Sequence, residues 1–404
     1  MLVAALTPPV AQWLTAILIA RLAGVTDLGS YVLANAIATP VVLIMQLPLR
    51  SVYVVHQNPE LQFDIFLALR IAMLCAAMLL TLTIGALVGA EVVAFGVVAA
   101  LALARCAEST SDMLYAPLHR RARLSFIAKL TVWRTAQGLA ASSAVLLFTG
   151  SIFLCAAALA VSNCVAIVVW EWPTRRLLHL RGQHPFDQIS VLACYQLAKQ
   201  AAPLSIVQTL TAIAGNTPRY VVQWGAGSSA LGFYAVLEHF SALAAVACNA
   251  MGQTFAAGMA RDWHANKKED FVRRARDLLI SNALAALAVF VLAVAAGNGI
   301  VSFIYGTAFE PASHWLVLMS ICGLFTAIAS AGGYILTSVG IHKEQIPIMA
   351  MSLVASAGAG CFAVLWLGYA GAIIGVMIGA VVQIVLTLII MRRALSLEAD
   401  VRHA

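Results

Sequence analysis

Charged residues are scarce in this chain: Asp, Glu, Lys and Arg together make up only 10% of its 404 residues. A water-soluble domain carries about 25% charged residues, so most of this chain lacks the polar side chains that a water-facing surface needs. Hydrophobic residues make up 62% of the chain, and its mean hydropathy is +0.93. The composition therefore excludes an ordinary soluble domain and predicts an integral membrane protein.

The sequence also lacks the residue patterns of common catalytic and metal sites. It contains no HExxH, GxSxG or Walker-type loop, and its nine His residues are scattered. The eight Cys residues occur singly, without CxxC or metal-type spacing, so we interpret them as small packing residues. We expect no metal, no cofactor and no enzymatic activity.

Long apolar runs recur from end to end, as in Ile71–Ala90, Val92–Ala104, Leu278–Ala296 and Ala370–Met391. About 20 apolar residues cross the hydrocarbon core as a helix, and only helices or closed barrels can span lipid. The runs do not alternate apolar and polar residues, as barrel strands do. The sequence predicts an all-α, polytopic membrane protein with about twelve transmembrane helices, the first of them an uncleaved span.

Basic residues predict the orientation in the membrane. Every second loop is basic; these loops contain Arg120 to Arg123, Arg175 to Arg181, Arg261 to Arg276, Lys343, and Arg392 with Arg393. The intervening loops have almost no Lys or Arg. Because cytoplasmic loops accumulate these residues, both termini are predicted to be cytoplasmic. The net charge of +7 follows from this bias and does not indicate nucleic-acid binding.

A short internal sequence repeat indicates that the chain consists of two similar halves. Gly24 with Leu28-Gly29-Ser30-Tyr31 returns, about half the chain later, as Gly227 with Leu231-Gly232-Phe233-Tyr234. Six crossings per half give both halves the same orientation, which is one of the known transporter repeat symmetries. We predict two pseudo-symmetric six-helix lobes, 1–173 and 197–391, a cytoplasmic amphipathic connector at 174–196 and a cytoplasmic tail at 392–404.

Charged residues inside the spans are the candidate functional groups, since each costs at least ~2.5–3.5 kcal/mol at the bilayer centre. Several together imply a wet cavity or mutual pairing. Arg105, Glu108 and Asp112 are spaced three and four residues apart, which places them on one helical face. The other candidates are Arg50, Arg70, Arg134, Asn216, Arg219 and Glu238.

Purely structural roles are open for most of them. Arg50, Arg70 and Arg134 lie near the predicted cytoplasmic face, where a long side chain can snorkel to headgroups. Arg105 and Glu108 would serve equally well as an ion pair that holds helices together.

Two candidates of the second half differ in this respect. Arg219 is predicted near the outer interface, where anchoring and ligand binding are equally compatible with the sequence. Glu238 has no Lys or Arg three or four residues away in its own helix. Its partner must therefore come from another span, or Glu238 carries a proton or binds a cation.

Motifs along nearly the whole chain resemble a known family. They are Gln12-Trp13 through Leu28-Gly29, Leu47-Pro48-Leu49-Arg50-Ser51-Val52, Phe66-Leu67-Ala68-Leu69-Arg70, Glu108 through Tyr115, Asn216-Thr217-Pro218-Arg219-Tyr220, Leu231 through Tyr234 and Asn249-Ala250-Met251-Gly252-Gln253. In order and spacing they resemble the bacterial polysaccharide flippases (Wzx-type, of lipopolysaccharide biosynthesis) of the multidrug/oligosaccharidyl-lipid/polysaccharide exporter superfamily. Unlike that pattern, the sequence has no short basic leader before the first span.

The resemblance implies two six-helix bundles around a central cavity. It also implies transport of a polyprenyl-pyrophosphate-linked oligosaccharide (undecaprenyl pyrophosphate type) across the bacterial inner membrane by alternating access, with H⁺ or Na⁺ coupling. Guanidinium groups bind phosphate oxygens bidentately, so the expected headgroup ligands are Arg50, Arg70, Arg105, Arg134, Asn216 and Arg219. The expected ion-coupling or cavity acids are Glu108, Asp112 and Glu238. Amides available for a glycan include Gln12, Asn35, Gln46, Gln137, Gln208 and Asn249.

Three other classes of protein stay open. A drug or cation exporter of the same superfamily would share the fold, but it is expected to favour buried carboxylates, whereas buried Arg is prominent here. A membrane glycan polymerase or ligase would be an enzyme with a large outer loop, and the predicted outer loops are short. A structural scaffold would need no polar cavity.

Overall fold

The computed structural model of the chain describes residues 2–55, 63–88, 92–174, 191–341 and 343–400. Throughout these ranges the regular structure is helical, without a strand. Residues 175–190 of the predicted connector 174–196 lie outside the described residues, which resume at Val191. The end of the predicted tail, 401–404, also lies outside them.

In the first half of the chain, the described residues form eight helices of very different lengths. They are α1 (Leu2–Leu22), α2 (Val25–Met45), α3 (Leu49–Val55), α4 (Phe63–Leu87), α5 (Val92–Leu114), α6 (Ala116–Arg120), α7 (Leu124–Thr149) and α8 (Ile152–Ala166). Helix α8 continues as one π-helical turn, Ile167–Glu171.

The second half begins with one very long helix. Its helices are α9 (Val191–His264), α10 (Lys268–Tyr305), α11 (Glu310–Ser313), α12 (Leu316–Ser338), α13 (Gln345–Leu367) and α14 (Tyr369–Asp400). A short 3-10 turn, Thr307–Phe309, precedes α11.

Two glycines place bends at matching points of the two halves. Helix α9 has 74 residues, about 110 Å at 1.5 Å per residue, far more than a bilayer core of about 30 Å. Gly227 (φ 81°, ψ −178°) divides it into two segments. Gly24, between α1 and α2, has nearly the same backbone angles (φ 94°, ψ −173°). Both lie in the positive-φ region that glycine enters without steric cost, so the repeated sequence corresponds to a repeated backbone feature.

The long helices number twelve within the described ranges. Eight segments are long and apolar enough to cross a membrane, and one of them, Gln208–His264, contains the Gly227 bend and counts as two crossings. Helices α1, α5 and α7 complete the set. The predicted all-α fold, with about twelve transmembrane helices in two pseudo-symmetric six-helix lobes, is confirmed.

Large apolar side chains cover the outside of these helices. Phe148 is 90% exposed, and Phe303, Trp366 and Leu79 are also largely exposed. A soluble monomer rarely exposes apolar surface on this scale, whereas lipid solvates it. The molecule is a multi-pass membrane protein.

The chain forms two compact units, Met1–Ile213 and Ala214–Ala404. The boundary falls inside α9, so its first residues belong to the first unit, where Ser205 Oγ donates to the Ile44 carbonyl at 2.7 Å. The boundary between the two units therefore lies inside the predicted second lobe, 197–391, near its start. The limits predicted for the lobes and connector stay predictions.

A break after α2 positions one of the candidate residues. The sequence predicts a span that continues to residue 49, but α2 ends at Met45 and α3 begins at Leu49. Leu47 has a positive φ of 45°, and Pro48 lacks an N–H and disfavours helical backbone in the residue before it. The break starts a new helix on which Arg50 faces α5.

Close glycine packing joins α13 to α14. Gly371, Gly375 and Gly379 recur every four residues along α14. A Cβ on Gly375 would lie only 2.6 Å from the Ser356 carbonyl oxygen and 2.7 Å from Gly360 Cα. Small residues at this spacing let membrane helices approach backbone to backbone.

Candidate functional site

A polar cavity lies inside the first lobe, among α1, α2, α5, α7 and α8. Its polar lining consists of Gln12, Thr15, Tyr31, Arg105, Glu108, Arg134, Thr135 and Asn163. Three of the predicted site residues, Arg105, Glu108 and Arg134, therefore share one chamber.

Arg105 is held by acceptors from three helices. Its Nη1 donates to Glu108 Oε2 at 2.7 Å, while Nε and Nη2 donate to Asn35 Oδ1 at 3.1 and 2.8 Å. With its amide oriented so that the oxygen faces the guanidinium, Gln12 accepts from Nη1 at 3.0 Å and Nη2 at 3.2 Å. Glu108 neutralises the charge, and the two amides fix the plane of the guanidinium group.

A second polar cluster joins α3, α4 and α5. Arg50 Nη1 lies 2.6 Å from Asp112 Oδ1, and the two side chains are partly exposed. Arg70 Nη1 donates to Ser109 Oγ at 2.8 Å, and Ser109 Oγ donates to Gln46 Oε1 at 3.1 Å.

Arg70 differs from the other candidates because it is only 1% exposed. Its Nε has no hydrogen-bond partner among the described residues. Snorkelling to headgroups is excluded for Arg70 in this conformation, and so is direct contact with a ligand. Its predicted role in headgroup binding stays a prediction that requires a rearrangement of the lobe.

The third cluster contains an acid that the sequence analysis missed. Arg134 Nη1 lies 3.8 Å from Glu171 Oε1, and the Glu171 side chain is 1% exposed. The Tyr115 hydroxyl donates a short hydrogen bond to the same carboxylate, and the Arg134 guanidinium lies over the Tyr115 ring at 6.0 Å. A lone acid between Trp170 and Trp172 in an apolar run was the available signal.

In the second lobe, Arg219 and Glu238 form a bidentate ion pair. Arg219 Nε donates to Glu238 Oε2 at 2.8 Å, and Nη2 donates to Oε1 at 3.0 Å. The remaining terminal nitrogen, Nη1, donates to Asn216 Oδ1 at 2.8 Å. Each of the two paired side chains is 23% exposed. The prediction that the partner of Glu238 comes from another span is confirmed, since Arg219 precedes the Gly227 bend and Glu238 follows it.

Aromatic and imidazole groups line the Arg219–Glu238 pair. His239 follows Glu238, and its Nδ1 lies 3.2 Å from the Tyr305 hydroxyl with the two rings stacked. Tyr234, one turn before Glu238, is 2% exposed. The two side chains of the pair nevertheless keep an exposed fraction of 23% each.

The site offers cationic hydrogen-bond donors rather than metal ligands. Among the described residues, no group of three or more His, Cys, Asp or Glu side chains is arranged to hold a metal ion. Every candidate carboxylate is instead in contact with an Arg. Such an arrangement can bind an anion wherever the anion replaces the carboxylate.

Comparison with known proteins rests on structure. No protein-family model matches the sequence, and no curated protein matches it. The fold is similar to that of "Lipid II flippase MurJ, inward closed conformation", with a TM-score of 0.75 and 11% identity over 97% of this chain and 88% of that chain.

Two MATE transporters are also similar in fold. An inward-facing MATE family transporter of the MOP superfamily gives a TM-score of 0.72 and 14% identity over 98% of this chain and 99% of that one. A mutant of the Vibrio cholerae MATE transporter VcmN gives a TM-score of 0.63 and 16% identity over 98% of this chain and 94% of that one. At these identities the likeness concerns the backbone alone: the chain has the fold that MurJ and these transporters share.

Proposed function

We propose that the protein is a flippase that moves a polyprenyl-pyrophosphate-linked oligosaccharide across the bacterial inner membrane by alternating access, with both termini in the cytoplasm. The fold supports a transporter. The proposal of a lipid-linked substrate is supported by the Arg residues in partly exposed polar clusters within the lobes. A diphosphate carries two negative charges that guanidinium groups bind bidentately.

The ion pairs explain how such a site stays stable without substrate. A buried charge without a partner is strongly destabilising, by about 3–5 kcal/mol, so an empty anion site needs its own counter-ion. Asp112 plays that part for Arg50 at 2.6 Å, and Glu108 does so for Arg105 at 2.7 Å. The substrate phosphate replaces a carboxylate, and no bond of the substrate is made or broken.

A cation or drug exporter is the second candidate, because carboxylates also lie in the polar clusters and the same fold occurs in MATE transporters. Glu108, Asp112 and Glu238 each contact an Arg at 2.6–2.8 Å. An organic cation would have to displace the guanidinium group, just as an anion would have to displace the carboxylate. Arg105 favours an anion, because an anion can replace its neutral amide acceptors Asn35 and Gln12 without leaving an unpaired charge.

The experiment is a deletion of the gene in its native host. A flippase predicts loss of surface polysaccharide together with accumulation of the complete undecaprenyl-linked repeat unit on the cytoplasmic side. Normal polysaccharide with increased drug sensitivity would instead establish the exporter. Accumulation of single repeat units on the periplasmic side would establish a polymerase.

A further inference from the structure

We propose that the Arg219–Glu238 pair is a combined anion and proton site: a substrate phosphate binds Arg219 only as Glu238 takes up one proton. This inference rests on the proposed function and specifies how that function is coupled. It makes the substrate anion and the proton co-substrates that enter and leave the second lobe together.

The geometry of the pair requires the exchange. Arg219 directs Nε and Nη2 at the two oxygens of one carboxylate, and Nη1 at Asn216. A phosphate that is to receive bidentate donors from this guanidinium must replace the carboxylate. Glu238 would then be left at 23% exposure as an anion beside a second anion, which low-dielectric surroundings penalise strongly.

Proton uptake removes that penalty. A proton taken up from the solvent binds a Glu238 oxygen and makes the carboxyl group neutral. One negative charge of the phosphate then replaces the carboxylate as the counter-charge of Arg219. The charge that faces Arg219 is the same before and after the exchange, while the second negative charge of the diphosphate needs a counter-charge from another group. Each ligand therefore favours the binding of the other, as thermodynamic linkage requires.

Other titratable groups face the pair and must be distinguished from Glu238. They are Tyr220, Tyr234 and His239, with Cys322 close to Tyr234 and Tyr305 in contact with His239. His239 is the group that titrates closest to neutral pH in its ordinary form. A His239→Gln variant therefore serves as the control for a histidine-based pH effect.

The first lobe provides an internal contrast. At the position of the repeat that Glu238 occupies, the first lobe has Asn35, which accepts two hydrogen bonds from Arg105 and cannot take up a proton. Only one Arg105 nitrogen contacts Glu108. An anion can replace the neutral amide at Arg105 without creating an unpaired charge, so we assign the proton linkage to the second lobe.

The test measures binding of farnesyl-diphospho-N-acetylglucosamine to the full-length protein in nanodiscs between pH 6 and pH 8. Both phosphates of this probe are esterified and do not titrate in that range. For the wild type we expect the affinity to fall by about tenfold for each unit by which the pH rises, as the uptake of one linked proton requires. Calorimetry in buffers of different ionisation enthalpy should give uptake of up to one proton.

Glu238→Gln should bind the probe with an affinity that is independent of pH and take up no proton, whereas His239→Gln should keep the pH dependence and the proton uptake of the wild type, whatever its absolute affinity. Since Glu238→Gln leaves Arg219 without its carboxylate, Glu238→Asn, which has the residue of the first lobe, is the second variant. The calorimetric measurement on the wild type itself needs no variant.

Three results have distinct meanings. Binding to the wild type that is independent of pH and takes up no proton overturns the inference and leaves the proposed function standing. A pH dependence of probe binding that persists in both Glu238 variants and disappears in His239→Gln also overturns the inference. Absence of binding to the wild type at every pH overturns the proposed function, and the inference with it.

Discussion

Asn35 and Glu238 occupy the same position of the internal repeat, eleven residues after the bend glycines Gly24 and Gly227. Each accepts two hydrogen bonds from a guanidinium group: Asn35 accepts them through one oxygen, and Glu238 through two. The two lobes thus place an acceptor for a guanidinium group at the same repeat position, neutral in one lobe and charged in the other. The donors come from different positions, Arg105 from α5 and Arg219 from the segment before the Gly227 bend. A conserved backbone repeat supports two electrostatically different sites.

The first prediction concerns the neutral acceptor. Asn35→Ala removes the oxygen that accepts Nε and Nη2 of Arg105, and hydrogen bonds to charged groups contribute about 1.5–3 kcal/mol. We expect the free energy of unfolding to fall by about that amount and the midpoint of thermal unfolding in detergent to fall with it. Asn249→Ala, at an exposed position, is the matched control. Equal midpoints for the two variants would mean that the Asn35 contacts contribute nothing.

The second prediction concerns substrate. Arg50→Ala and Arg219→Ala should each abolish surface polysaccharide even after correction for the amount of protein in the membrane, because each removes a partly exposed guanidinium group from a polar cluster. Arg273→Ala is the control, since that side chain is 63% exposed and pairs within its own helix turn. Quantitative gel analysis of the polymer provides the measurement. Normal polymer in both variants would exclude Arg50 and Arg219 from the substrate site.

Features that repeat along the chain could be predicted from the sequence. Apolar runs fix the number of helices because helix formation in lipid is decided by local hydrophobicity and length. The repeat around Gly24 and Gly227 was found in the sequence, and the structure adds that both glycines are bends, where a positive φ selects glycine. The contact of Arg105 with Glu108 follows from their spacing of three residues on one helix.

Contacts between helices could not be predicted in the same way. Arg50 and Asp112 are separated by 62 residues, and no periodicity relates two different helices. The break at Leu47 that turns Arg50 towards Asp112 depends on a local backbone conformation. Glu171 was missed because its partners, Tyr115 and Arg134, come from other elements. The sequence therefore indicates that buried charges must be paired, but it does not predict which residues form the pairs.

The third prediction concerns Glu171. Glu171→Ala removes the carboxylate nearest to Arg134 and leaves a guanidinium group with 12% exposure without a close counter-charge, which costs about 3–5 kcal/mol in a buried pair. We expect a large drop in the thermal midpoint and reduced protein in the membrane. Glu269→Ala, at an exposed position, should leave the midpoint unchanged. Tyr115→Phe should have a smaller effect, since it removes one hydrogen bond and no charge.

The opposite result for Glu171 is also informative. If Glu171→Ala unfolds at the same temperature as the wild type, then water in the adjoining cavity solvates the charge of Arg134. In that case Arg134 is accessible to an anion from that side, and the cavity of the first lobe becomes the stronger candidate for the headgroup site.

The last prediction concerns the contact between α13 and α14. Gly375→Ala adds a methyl group 2.6 Å from the Ser356 carbonyl oxygen and 2.7 Å from Gly360 Cα, so the two backbones must move apart. Overpacking of this kind costs about 1–3 kcal/mol. Gly358→Ala is the matched control, because a Cβ there has no neighbour within 4 Å and alanine favours the helix. Unfolding in detergent should therefore rank Gly358→Ala at or above the wild type and Gly375→Ala below it. The reverse order would mean that α14 does not approach α13 this closely in the membrane, and that the hydrogen bond from Ser352 Oγ to the Gly379 carbonyl at 2.8 Å does not form there.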